Sequence, residues 1–140
     1  IGGNQTTPRL DPVALARSVG LADAFRWQRY VSDAELAHLY ASARVFAFLS
    51  DYEGFAMTPM EAAAHGVPSV MLDTAVAREV YGDAALRVAC DVPAISDALL
   101  ELLTSEDTHA TLVARGRTRL GAFTWTRTAT ALRDTLEHAR

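Results

Sequence analysis

Residues 45–72 read VFAFLSDYEGFAMTPMEAAAHGVPSVML. The stretch opens on five apolar residues, 45–49, rich in aromatic and β-branched members. A continuous run of that kind reads as a strand covered on both faces. The turn-rich segment Ser50 to Met57 follows. Thr58-Pro59-Met60-Glu61 then reads as a capping box, with Pro59 at the first helical position and Glu61 as the return partner of Thr58. The helix EAAAH closes at Gly66, and Val67 to Leu72 form a second apolar run. Strand, helix, strand over this distance is a crossover between two parallel strands.

Working outward, the same alternation continues. Upstream, Ser32 and Glu35 form a capping box for a helix to about Ser42, with Leu36, Leu39, Tyr40 and Ala43 as its apolar stripe. Phe25, Trp27, Tyr30 and Val31 carry a short strand pattern. Asp11 and Pro12 start a helix that ends at Gly20. Ile1 to Asn4 read as the tail of a strand. Downstream, residues 76–81 form a brief helix stopped at Gly82-Asp83, and Leu86 to Cys90 a strand. Helices follow from Pro93 to about Leu103, over 107–120, and from about Trp125 to His138. The last has Trp125, Ala129, Leu132 and Leu136 on its apolar face. The predicted fold class is α/β, a Rossmann-like parallel sheet flanked by helices.

Composition narrows the function. The chain has 140 residues, 50% of them hydrophobic, enough for one domain with a real core. Its 17 acidic residues outnumber 13 basic ones, all arginine, for a net charge of −4. That balance argues against a broad phosphate-tracking surface, so nucleic acid is not an expected partner. The single cysteine, Cys90, cannot form an internal disulfide and reads as packing. No apolar run approaches the roughly 18 residues of a membrane-spanning helix. His38, His65, His109 and His138 lack metal-ligand spacing, so no metal is expected. They read as surface or helix-end residues. Trp27 and Trp125 read as core. Arg115, Arg117 and Arg119 read as a solvated face, and Arg78-Glu79 as either a cleft border or a surface ion pair.

In parallel α/β folds ligands sit beyond the carboxyl ends of the strands. The turn after strand 45–49 is therefore the candidate site. Amides in the first turn of the following helix lack intrahelical partners and favour a negative ligand. Gly54 lets a ligand approach the backbone. Glu53 and Glu61 flank this amide-rich turn, and carboxylates accept hydrogen bonds from sugar hydroxyls. Hydroxyls at both ends with phosphate between them describe a nucleotide-sugar. On spacing alone Glu61 serves equally as the capping partner of Thr58, and Glu53 equally as a solvated loop residue.

The segment SDYEGFAMTPMEAAAHGVPSV, 50–70, closely resembles the donor-binding signature of retaining glycosyltransferases of the GT-B fold, group 1 or family 4 type. Its core is two glutamates separated by seven residues, here Glu53 and Glu61. The likeness extends to YVSDAELAHLYASARVFAFLS before it, and to AREVYGDAALRV and FTWTRTATALRDTLE after it. It implies a C-terminal, donor-binding domain cut at its N-terminal edge, with the acceptor domain and a diphosphate-neutralising Arg and Lys lying before Ile1. It implies that Glu53, as the catalytic residue, contacts the donor sugar hydroxyls, and that the backbone at Gly54, Phe55, Ala56 and Met57 meets sugar and distal phosphate. Glu61 would hold the ribose, and the loop at Tyr30 and Val31 would border the base. The implied donor is a UDP-, GDP- or ADP-hexose, with no cofactor. The implied location is the cytoplasm, with any membrane contact made through the full-length protein. Three positions depart from the pattern. Ala56 and Arg29 stand where glycine is common, and Leu49 where proline is common. Ala56 should then need a backbone conformation that a Cβ allows, and should narrow the sugar pocket. The rival class is a nucleotide-binding or regulatory module without transferase activity. A response-regulator-like domain is disfavoured by the absence of lysine, and a dinucleotide-binding dehydrogenase by the absence of G-x-G-x-x-G.

Overall fold

A computed structural model describes residues 10–139. The reading of Ile1 to Asn4 lies outside the described residues. The chain divides into two compact units, with the break between Leu39 and Tyr40.

In the first unit, helix α1 spans Pro12–Ser18. Asp11 caps it as expected, its carboxylate accepting from the amides of Val13 and Ala14, both at 3.0 Å. Helix α2, Asp33–Ser42, begins in this unit and ends in the next. Its capping box is complete. Glu35 accepts from the Ser32 amide at 2.8 Å, and the Ser32 hydroxyl meets the Glu35 amide at 3.3 Å. Residues 25–31 form no strand. Phe25 and Tyr30 are exposed and Trp27 and Val31 half-buried. Alternation is only half of what a strand requires; the other half is a neighbour to take its backbone hydrogen bonds.

The second unit holds the sheet. Strands β1 (Phe46–Phe48), β2 (Ser69–Leu72) and β3 (Leu86–Val88) pair in parallel in that order, with Ala47 opposite Val70 and Met71 opposite Arg87. Helix α3, Met57–Ala64, makes the β1–β2 crossover, and a π-helical turn, Ala77–Tyr81, lies between β2 and β3. Helices α4 (Val92–Thr104), α5 (Glu106–Leu120) and α6 (Trp125–His138) close the chain, each capped by the side chain of the residue before it or nearby: Asp91, Ser105 and Thr124.

Strand β2 is buried throughout, and its alternating side chains serve two cores. Val70 packs with Ala98, Leu102 and Leu112. Met71 packs on the other face with Met60, Val80 and Tyr81. Strand β1 differs from expectation: Ala47 is exposed, because β1 lies at the edge of the described sheet. Helix α5 approaches α3 closely at Gly116, where an added Cβ would meet the Ala63 Cβ at 3.2 Å.

Three other expectations are corrected. Trp125 is 89% exposed, as are Leu132 and Leu136 at 60% each, so α6 shows its apolar stripe to the surface rather than to a core. Cys90 is exposed, since its strand ends two residues earlier at Val88. Arg119 is half-buried, donating to the carbonyls of Val80 at 2.5 Å and Glu79 at 2.6 Å, so it fastens α5 to the π-helical turn.

Candidate functional site

The strands are parallel, so their carboxyl ends share one edge of the sheet. The loop 49–56 leaves β1 at that edge and enters α3. The helix starts earlier than the sequence suggests, at Met57 rather than Pro59. Ala56 occupies the N-cap position with φ 65° and ψ 70°, and no side chain caps the helix. The expected Thr58–Glu61 capping box therefore does not form. Pro59 falls in the first turn, where its missing N–H removes no helical bond.

Ala56 also contradicts the expectation of a conformation comfortable for a Cβ. It is the only described non-glycine residue in the left-handed region. Such a residue costs about 1–2 kcal/mol. The surroundings hold it there. Ala56 is buried, and the Tyr81 hydroxyl donates to its carbonyl. Burial is the main reason that the Tyr81 phenol is pushed up to about 12; the Met60 amide opposes the shift, and the charges of Glu53 and Glu61 add to it. Tyr81 therefore stays a protonated donor near neutral pH. Neighbouring Phe55 turns its ring edge-on to Phe123, centroids 5.3 Å apart, and the Arg119 guanidinium lies 5.1 Å from the centre of the Phe123 ring. Phe55 remains 38% exposed beside that contact.

Each predicted residue can now be placed. Glu53, Gly54 and Met57 are exposed around the turn, Met57 by 66%. Glu61 is exposed on α3 one turn beyond Met57. Its carboxylate accepts from the Tyr40 hydroxyl at 3.1 Å instead of bonding Thr58. Tyr30, 85% exposed, and half-buried Val31 lie in the first unit on the chain entering α2. Tyr40 and Tyr81 were not expected as polar residues here. Tyr40 counted only toward an apolar stripe. The usable signal was that a buried phenol must find a hydrogen-bond partner.

At the end of β2, Asp73 pairs with Arg78 at 2.8 Å and with Arg87 at 3.2 Å. Arg78 is thus an ion-pair residue, one of its two readings from sequence. Hydrogen bonding to Arg78 is the largest cause holding the Asp73 carboxyl below its ordinary 3.8. A depressed carboxyl contributes stability above its unfolded value and loses it as pH falls through the folded one. Asp73→Asn should therefore be slightly less stable than the native protein at pH 7. Urea unfolding at a series of pH values should show the gap closing below 3.8.

The histidines are dispersed. His65 Nδ1 lies 2.9 Å from the Glu61 carbonyl and its ring stacks on Tyr40. His109 is half-buried, with Nε2 3.1 Å from the Arg44 carbonyl, deeper than expected for a surface residue. Among the described residues no three His, Cys, Asp or Glu gather as a metal site. No described helix is long and apolar enough to cross a membrane.

The turn thus lies between two exposed carboxylates, Glu53 and Glu61, at the carboxyl edge of a parallel sheet, where ligands of α/β folds sit. Residues 4–119 match the family glycosyl transferases group 1, and the chain belongs to it. It is 40% identical over 101 residues to O-antigen chain mannosyltransferase B of Escherichia coli, covering 71% of this chain and 26% of that protein. It is 35% identical over 133 residues to D-inositol 3-phosphate glycosyltransferase of Frankia alni, covering 91% of this chain and 32% of that one. The structure superposes on sucrose-phosphate synthase from Thermosynechococcus elongatus with a TM-score of 0.76 and 25% identity, over 91% of this chain and 34% of the other. The sheet and its helices thus match one half of a GT-B fold. The chain spans about a third or less of the length of each of these proteins.

Proposed function

We propose that this chain is the C-terminal, donor-binding half of a retaining glycosyltransferase. The enzyme moves a hexose from a nucleotide-sugar to an acceptor hydroxyl. The observation that carries the reading is the start of α3. An uncapped helix N-terminus opens at the carboxyl edge of the sheet, with Glu53 before it and Glu61 one turn inside it. The diphosphate gains negative charge as the sugar leaves. The backbone from Gly54 to Met57 and the positive end of α3 offset that charge where it develops. Glu53 accepts hydrogen bonds from the sugar hydroxyls and orients the ring for attack. Glu61 holds the ribose hydroxyls.

The hexose is proposed as mannose, by kinship with the E. coli mannosyltransferase. Partners are then the donor and an acceptor-binding domain elsewhere in the intact protein. The cytoplasm, where nucleotide-sugars are made, is the proposed location. Calorimetry of the intact protein with GDP-mannose, UDP-glucose and ADP-glucose tests the reading. One donor should bind, and Glu61→Ala should weaken it about tenfold or more, as loss of hydrogen bonds to a charged group would. Binding unaffected by Glu61→Ala would remove Glu61 from the donor site.

A further inference from the structure

Glu61 is an exposed glutamate on a helix surface, and such a side chain ordinarily exchanges among many rotamers. Here one of its oxygens is held. Tyr40, at the end of α2, is only 5% exposed, and its hydroxyl lies 3.1 Å from Glu61 Oε2 and 3.4 Å from the Thr58 carbonyl. The phenol is itself fixed. Phe46 of β1 meets its ring edge-on at 5.8 Å. The His65 ring stacks on it at 5.2 Å with 22° between planes. His65 Nδ1 in turn lies 2.9 Å from the Glu61 backbone carbonyl, which ties the stacking ring to the same turn of α3.

We propose that Tyr40 is a positioning residue for donor recognition, fixing the Glu61 carboxylate so that it presents its remaining acceptor sites to the ribose hydroxyls of a nucleoside diphosphate. The inference rests on the ribose-binding reading of Glu61. A carboxylate has about four acceptor sites, and Tyr40 takes one of them. Fixing the rotamer before the ligand arrives removes an ordering cost from binding. Burial first, then the hydrogen bond and charge of Glu61, push the Tyr40 phenol up to about 12. The hydroxyl therefore donates throughout the range in which the enzyme would work.

The test compares GDP, UDP and ADP with their 2′,3′-dideoxy counterparts on the intact protein by calorimetry. Native protein, Tyr40→Phe, Glu61→Ala and the double variant are measured. Tyr40→Phe keeps the ring, its edge-on contact with Phe46 and its stack on His65, so affinity for the dideoxy ligand reports whether the site is still built. The expected result is selective. Tyr40→Phe weakens the ribose-bearing ligand by about three- to tenfold, the order of one charge-assisted hydrogen bond acting through a second group. It leaves the dideoxy ligand unchanged, and adds nothing to Glu61→Ala in the double variant. If Glu61→Ala abolishes the preference for ribose but Tyr40→Phe leaves it intact, or weakens both ligands equally, the positioning role is overturned and the ribose reading stands. If Glu61→Ala itself leaves that preference intact, the ribose reading falls and the role of Tyr40 falls with it.

Discussion

Replacing Glu53 by glutamine should lower turnover by roughly a hundredfold or more, the usual scale for losing a preorganised contact that acts in the transition state. Affinity for a nucleoside diphosphate lacking the sugar should hardly change. The split follows from position. Glu53 stands before the amide-rich turn, beside the proposed sugar, whereas Glu61 lies inside α3 on the proposed ribose side. Stability should stay within about 0.5 kcal/mol, as for most surface substitutions. Steady-state kinetics with GDP-mannose and calorimetry with GDP would check both halves. Equal losses in diphosphate affinity and in turnover would mean that Glu53 builds the pocket rather than orienting the hexose.

The second large effect is expected at Tyr81. Removing its hydroxyl leaves the Ala56 carbonyl without this donor in a buried place, which costs about 1–3 kcal/mol. It also releases the restraint that opposes the strain at Ala56, whose φ is 65°. Tyr81→Phe should therefore unfold at lower urea and bind donor several-fold more weakly. Adding Ala56→Gly should recover part of the donor affinity, because glycine adopts the left-handed conformation without a Cβ penalty. Urea unfolding and donor calorimetry on the two single variants and the double variant give the coupling directly. Strictly additive effects would show that the hydroxyl and the turn are independent.

Local rules carried much of the fold. Asp11, Ser32 and Gly66 each mark a helix end where the structure has one, and the apolar run 67–72 contains the fully buried strand β2, Ser69–Leu72. What failed depended on partners that sequence does not display. The alternation at 25–31 pairs with no strand among the described residues. The stripe on α6 looks the same in sequence whether it is covered or, as Trp125 is, open. The Thr58-Pro59-Met60-Glu61 signature suited a helix start, but the left-handed turn at Ala56 begins the helix two residues sooner and leaves Glu61 to Tyr40. The candidate site reads from sequence as one segment because Glu53, Gly54 and Glu61 lie close in the chain. Its supports were not, because Tyr40 and Tyr81 reach it from 21 and 25 residues away.

The most direct test of donor binding at this turn uses the methionines. Met57 is 66% exposed at the start of α3, whereas Met71 is 2% exposed in the core. The intact protein, labelled with ¹³C at the methionine methyls, would be titrated with GDP-mannose, UDP-glucose and ADP-glucose. The Met57 resonance should move in a saturable way with one of them, the Met71 resonance should stay nearly still, and Glu61→Ala should raise the concentration needed. Saturable binding of a donor with an unmoved Met57 resonance would place the nucleotide-sugar elsewhere and contradict the assignment.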